Sequence, residues 1–192
     1  MSSPSRPLVT AVMAAFNAER FVEEALASLC AQTLSDLEVL VADDGSTDGT
    51  AGKVEDASRR DGRIRLLRLG RNRGQAAALN AALDQARGRY LAVLDADDQA
   101  TPSRLARQVA ALERDPELVV IGGAVQTFRD GGDEPGPLWG YAVADADIRV
   151  RNLFKSEFIS GAMTFDRERL AANRLRFGEG LAGLEKAPLS QF

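Results

Sequence analysis

Tyr90-Leu91-Ala92-Val93-Leu94-Asp95-Ala96-Asp97-Asp98 passes from five apolar residues to three carboxylates within four positions. The apolar run, bounded by Gly88, reads as a short buried strand. Thr101-Pro102 follows and predicts a helix start, because Thr can cap a helix and Pro suits its first turn. The carboxylates therefore lie where a strand ends and a helix begins. In an open α/β sheet that is where ligands bind, outside the carboxyl ends of the strands. Carboxylates this close repel one another, and a hard divalent cation such as Mg²⁺ or Mn²⁺ relieves that while also accepting phosphate oxygens. Taken alone, the cluster reads more simply as a solvated acidic turn ahead of a helix. The rest of the chain decides.

Outward from this stretch the same alternation repeats. Residues 8–14 read as a first strand. Residues 20–32 read as a helix, with Phe21, Val22, Ala25, Leu26 and Leu29 at helical spacing. Residues 37–42 form a second strand and run into Asp43-Asp44-Gly45-Ser46-Thr47-Asp48-Gly49-Thr50. There Gly45 allows a tight turn, and Ser46, Thr47 or Asp48 can cap the polar helix that runs to about residue 60. Residues 64–69 are a third strand, followed by the basic loop Gly70-Arg71-Asn72-Arg73-Gly74 and an Ala-rich helix over 75–86. After the Asp cluster come a helix over 101–114 and strands over 118–122 and 124–128. This predicts a mostly parallel, doubly wound sheet flanked by helices. Residues 129–140 read as a loop, 145–154 as a short helix, 159–165 as a strand and 166–173 as a helix. Residues 177–192 show little periodicity.

Composition narrows the chemistry. The 192 residues are 45% hydrophobic and 27% charged, enough for one domain with a real core. A net charge of −4 speaks against a general nucleic-acid role. There is no histidine, so His bases, His triads and His metal ligands are excluded. The single cysteine, Cys30, cannot form an intrachain disulfide and reads as a small core residue. Residues 1–7 lack the apolar core of a signal peptide and read as disordered, and no segment is long enough to span a bilayer. The expectation is a cytoplasmic protein, or part of a larger one.

Polar clusters close separate strands: Phe16-Asn17 the first, Asp43-Asp44 the second, Arg71 to Gly74 the third, Asp95 to Asp98 the fourth. In a parallel sheet all four share one edge. Together they can hold a nucleoside diphosphate. A carboxylate accepts from a base N–H, an aromatic such as Phe16 flanks the base, and a metal with arginines such as Arg73 neutralises the diphosphate. The plainer readings are core packing for Phe16, turn formation for one of Asp43 and Asp44, and a solvated loop for one of Arg71 and Arg73.

The stretches 12–17, 24–32, 37–50, 72–80 and 94–98 together resemble the family 2 glycosyltransferases of the GT-A fold. The resemblance is close over 8–128 and loose over 152–184. It implies a Rossmann-like nucleotide-sugar-binding half over 8–128 and an acceptor-side half over 129–192 that is incomplete beside the family's usual continuation. It also implies an inverting transfer of a sugar, from UDP or a similar carrier, to a saccharide, lipid-linked or protein acceptor. Cell-envelope polysaccharide is the implied product, made at the inner face of the membrane. By position, Phe16, Asn17, Glu19, Asp43, Asp44, Arg73, Asp95 and Asp97 would hold the donor, and Asp97 and Asp98 the Mg²⁺ or Mn²⁺. Glu185 would be the base, although Lys186 stands where the family commonly has Asp. Lysine is cationic at neutral pH unless desolvated, so a binding module without turnover is the alternative. A phosphoaspartate receiver fits the 43–50 motif poorly. A haloacid-type phosphatase lacks the Thr or Val expected after Asp97.

Overall fold

The computed structural model describes residues 6–128, 135–139, 160–172 and 176–178. Strands β1 (Val9–Ala15), β2 (Leu37–Asp43), β3 (Ile64–Arg68) and β4 (Tyr90–Val93) alternate with helices α1 (Val22–Cys30), α2 (Thr50–Arg60), α3 (Gln75–Gln85) and α4 (Arg104–Arg114). Then follow β5 (Val120–Ile121), β6 (Val125–Phe128), β7 (Pro135–Trp139), a 3₁₀ turn at Ser160–Ala162, β8 (Thr164–Asp166) and α5 (Arg167–Ala172). The main sheet has the order β3-β2-β1-β4-β8-β5. Its first four strands are parallel, and β8 lies antiparallel between β4 and β5.

Every residue of β2, and all but Ala14 of β1, is buried, as strands covered on both faces require. On one face Ala11, Met13, Val39 and Val41 pack under Leu26 and Leu29 of α1, Val54 of α2 and Leu105 and Val109 of α4. On the other, Val12, Leu40, Leu91 and Val93 meet the alanine face of α3, with Leu170 of α5 and Phe177. Parallel register sets Ala15 level with Asp43, and Asp43 level with Arg68. The carboxyl ends of β1 to β4 thus share one edge. Among the described residues no helix is long and apolar enough to cross a membrane.

Three expectations are corrected. The helix after the Asp cluster begins at Arg104, not Thr101. The Thr101 and Pro102 carbonyls accept from Gln32 Nε2 (2.8 Å) and Thr33 N (2.8 Å), which holds both residues outside the helix. Within the expected loop, residues 135–139 form β7, paired with β6 in a separate two-stranded sheet where prolines are tolerated. The expected strand over 159–165 divides into the 3₁₀ turn and β8. The expected helix over 145–154 lies outside the described residues.

At the opposite, amino-terminal edge sits a buried carboxylate, Glu38, 3% exposed. It accepts from Thr10 Oγ1 (2.7 Å), Arg87 N (2.8 Å), Arg87 Nε (2.8 Å) and Arg65 Nη1 (3.3 Å), and Thr10 Oγ1 accepts in turn from Gly88 N (2.7 Å). Burial pushes the Glu38 carboxyl up, but the hydrogen bonds from Arg87 and Thr10 outweigh it and hold it below the usual range. Glu38→Ala strands these donors and is expected to cost about 2–3 kcal/mol, the half-exposed arginines moderating the loss; the urea midpoint measures it. Because the folded carboxyl is the stronger acid, its contribution is full above the ordinary glutamate pKa of about 4.3 and is lost as pH falls through the folded value. The gap between wild type and Glu38→Gln should therefore narrow below about pH 4.

Candidate active site

The carboxyl edge is held together from the second strand outward. Asp44, directly after β2, is 3% exposed. Its own N–H donates to Ala15 O (2.8 Å), and its carboxylate accepts from Arg73 N (2.9 Å) and Gly74 N (2.7 Å). Gly45 makes this approach possible. Its φ is +79°, and a Cβ there would come within 2.6 Å of Arg71 Cα, so a side chain is excluded by both backbone and space. One residue further on, Gln75 Nε2 donates to Asp95 Oδ1 (2.9 Å). Residues 73–75 therefore bridge Asp44 and Asp95, on the two strands that flank β1.

The acid cluster is a turn in which Asp98 N donates to Asp95 O (3.1 Å), with Asp97 exposed and Asp95 and Asp98 partly buried. Burial, then the charges of Asp98 and Asp97, push the Asp95 carboxyl up to about 6. Burial and Asp97 also raise Asp98. Beneath them lies Arg104, which burial pushes down to about 10 against the pull of Asp98 and Asp95. Its Nη2 donates to Val93 O (2.6 Å) and Met163 O (3.3 Å). Gln108, one turn along α4, donates to Ala162 O (2.9 Å) and accepts from Thr164 Oγ1 (2.7 Å). The 160–163 turn is thereby seated beside the acids through the Ala162 and Met163 carbonyls. A Cβ on Gly161 would lie 2.7 Å from Asp95 Oδ2 and 3.1 Å from Asp98 Oδ2. Sequence reasoning missed Gln75, Arg104, Gln108 and Gly161. The signal for the middle two was there: polar residues spaced i, i+4 on the buried stripe of α4, beside Leu105 and Val109.

Among the described residues no three acidic or cysteine side chains converge closely enough to hold a cation by themselves. What is present is an all-oxygen donor set under like-charge stress. That fits a hard cation bound by one or two carboxylates and completed by phosphate oxygens and water.

The remaining predicted residues separate. Phe16, at the exit of β1, leaves its ring 46% exposed on this edge, and Arg73 is exposed beside Asp44. Asp43 Oδ1 accepts from Ser46 N (3.2 Å) and shapes its own turn. Asn17 and Glu19, expected as ligand contacts, face the neighbouring loop: Asn17 Oδ1 accepts from Thr47 N (2.9 Å) and Glu19 Oε2 from Gly49 N (2.8 Å). Glu185 and Lys186 lie outside the described residues.

Comparison with known proteins bears on the fold and the family. The chain is 36% identical over 186 residues to the succinoglycan biosynthesis protein ExoO of Rhizobium meliloti, covering 91% of this chain and 52% of that protein. It is 39% identical over 105 residues to the Escherichia coli UDP-Glc:alpha-D-GlcNAc-diphosphoundecaprenol beta-1,3-glucosyltransferase WfgD, covering 55% and 41%. The chain thus spans about half, or less, of these relatives' length. Among solved structures, the mannosyltransferase PcManGT of Pyrobaculum calidifontis, in complex with GDP-Man and Mn²⁺, superposes with a TM-score of 0.66 at 28% identity, covering 87% of this chain and 46% of that one. S. aureus TarS in complex with UDP gives 0.70 at 23%, covering 92% and 52%, a likeness of fold. The architecture is GT-A. The profile of "Glycosyl transferase family 2" matches residues 10–171, and the chain belongs to that family.

Proposed function

We propose that this edge binds a nucleotide-diphosphate sugar and passes its sugar to an acceptor hydroxyl with inversion, assisted by Mg²⁺ or Mn²⁺. One observation carries the reading: Asp44, residues 73–75 and Asp95 form a continuous hydrogen-bonded rim around the exit of β1, where Phe16 exposes its ring. In this reading Phe16 flanks the base and Asp44 accepts from a base N–H. Arg73 faces the diphosphate, Asp95 and Asp97 take the ribose, and Asp97 and Asp98 hold the cation. When bound, the cation supplies Lewis-acid stabilisation to the leaving diphosphate. Gln75 fixes Asp95, and Arg104 holds the strand end and the 160–163 turn beside the acids, before the ligand arrives, so little reorganisation remains at the moment of reaction. The acceptor oxygen bonds to the sugar's anomeric carbon as the bond to the diphosphate breaks, and the hydroxyl proton passes to a carboxylate, for which Glu185 is our candidate.

The acceptor is a saccharide, lipid-linked or protein hydroxyl. We place the reaction in the cytoplasm at the inner membrane face, in line with a relative named for succinoglycan biosynthesis. Lys186 motivates a second reading, a nucleotide-sugar-binding module without turnover; sugar transfer by the 192-residue chain would exclude it.

Calorimetric titration with UDP and with GDP, each with and without Mn²⁺, tests the donor site. Binding of one of them only with metal is expected, and Asp97→Ala with Asp98→Ala should abolish it; unchanged binding in that variant overturns the reading. Asp95→Asn should behave in two opposed ways. It weakens metal-dependent nucleotide binding yet stabilises the free protein at pH 7 by about 1–2 kcal/mol. The sign follows from linkage. A folded pKa near 6 against an unfolded one of about 3.9 means that the folded state loses stability as pH rises between them. The advantage of the variant in thermal melts should therefore vanish near pH 4.

A further inference from the structure

The loop that carries Phe16 is bonded to the second half of the 43–50 motif residue by residue. Asn17 N donates to Ser46 Oγ (3.0 Å), Ala18 N to Thr50 Oγ1 (2.8 Å) and Glu19 N to Asp48 Oδ2 (3.1 Å). In return Asn17 Oδ1 and Glu19 Oε2 accept from the backbone of Thr47 and Gly49. Thr50, fully buried, donates its hydroxyl proton to Asp48 Oδ1 (2.5 Å), which also accepts from Thr50 N (3.0 Å). Lys53 Nζ closes the set on Glu19 O (2.8 Å). Two backbone features depend on this arrangement. Asn17 has φ +50°, a left-handed conformation that asparagine tolerates better than most residues. Gly49 is so close to Glu19 that a Cβ would fall 2.5 Å from Oε1.

We infer that Asn17, Asp48 and Thr50 are positioning residues, which hold the backbone behind Phe16 so that its exposed ring forms a rigid wall for the nucleotide base. The inference rests on the donor reading above. Asn17 Oδ1, both Asp48 carboxylate oxygens and Thr50 Oγ1 are turned into the loop–loop clamp, and Thr50 is fully buried. The residue they immobilise is a large apolar side chain left on the surface at the site edge. An apolar wall on a fixed backbone binds better than the same ring on a mobile loop, because ordering it no longer opposes association. The motif then divides by task. Its first half, through Asp44, orders the Arg73-Gly74 loop, and its second half orders the base side.

The test separates the base from the diphosphate. Binding of UDP or GDP, whichever the unsubstituted protein takes more tightly, is measured with Mn²⁺ beside binding of inorganic pyrophosphate with Mn²⁺. Thr50→Val keeps the shape of the side chain but removes its hydroxyl, and Asn17→Ala removes the exposed half of the clamp without touching the core. Each is expected to weaken the nucleotide about tenfold and to leave pyrophosphate within about twofold, while Thr50→Ser retains nucleotide affinity. Nucleotide affinity unchanged in Thr50→Val and Asn17→Ala overturns the inference, and so does an equal loss of nucleotide and pyrophosphate. An unsubstituted protein that binds pyrophosphate but neither nucleotide overturns the donor reading and the inference together.

Discussion

The site depends on a carboxylate that is nearly inaccessible. Asp44 is 3% exposed and carries its charge into the protein. A buried charge is tolerable only where hydrogen bonds replace its water, and here the replacements are the N–H groups of Arg73 and Gly74. Those donors belong to a loop some thirty residues away. Satisfying Asp44 therefore draws the third strand's exit across the first and second, and starts α3 where Gln75 can reach Asp95. Gly45 follows from the same demand, since any side chain there would strike the backbone of Arg71.

The acid cluster is built on the opposite principle. Asp95 and Asp98 are crowded, half-buried and raised in pKa by burial and by their own neighbours. Arg104 lies below them, but its Nη2 protons go to the Val93 and Met163 carbonyls and its Nε proton to Gln108. It therefore fixes the strand end and the 160–163 turn while its charge offsets part of the burial of Asp95 and Asp98. Repulsion relieved only in part by Gln75 and Arg104 weakens the free protein.

The alternation of strands and helices was legible in the sequence because the inner parallel strands β1, β2 and β4 are covered on both faces, so each reads as a mostly apolar run between turn residues. The edge holding Phe16, Asp44, Arg73 and Asp95 was legible for the same reason: polarity flips where a buried strand emerges. What could not be read were features decided by distant partners. Thr101 looks like a cap, but the helix starts at Arg104, and the Thr101 carbonyl accepts from Gln32, far away in sequence, as well as from Arg104 N. The place of β8 between β4 and β5 is set by pairing Thr164 with Ala92 and Ile121, contacts with no local signature in a three-residue strand. Asn17 and Glu19 look like ligand contacts by position. Only the folded loops show their oxygens turned to Thr47 and Gly49.

The two edges of the sheet make the functional argument between them. At the amino edge the buried carboxylate Glu38 is met by two arginines and a threonine, and its pKa falls. At the carboxyl edge Asp95 has one amide donor, and its pKa rises. Both edges belong to one sheet and both carry partly or wholly buried acids, so burial alone does not account for the difference. What differs is compensation: Glu38, and Asp44 at the carboxyl edge, have their donors within the fold, whereas Asp95 has a single amide. A chain that satisfies a buried carboxylate fully at Glu38 yet leaves Asp95 and Asp98 raised at the other edge makes that second edge the better candidate for a binding site.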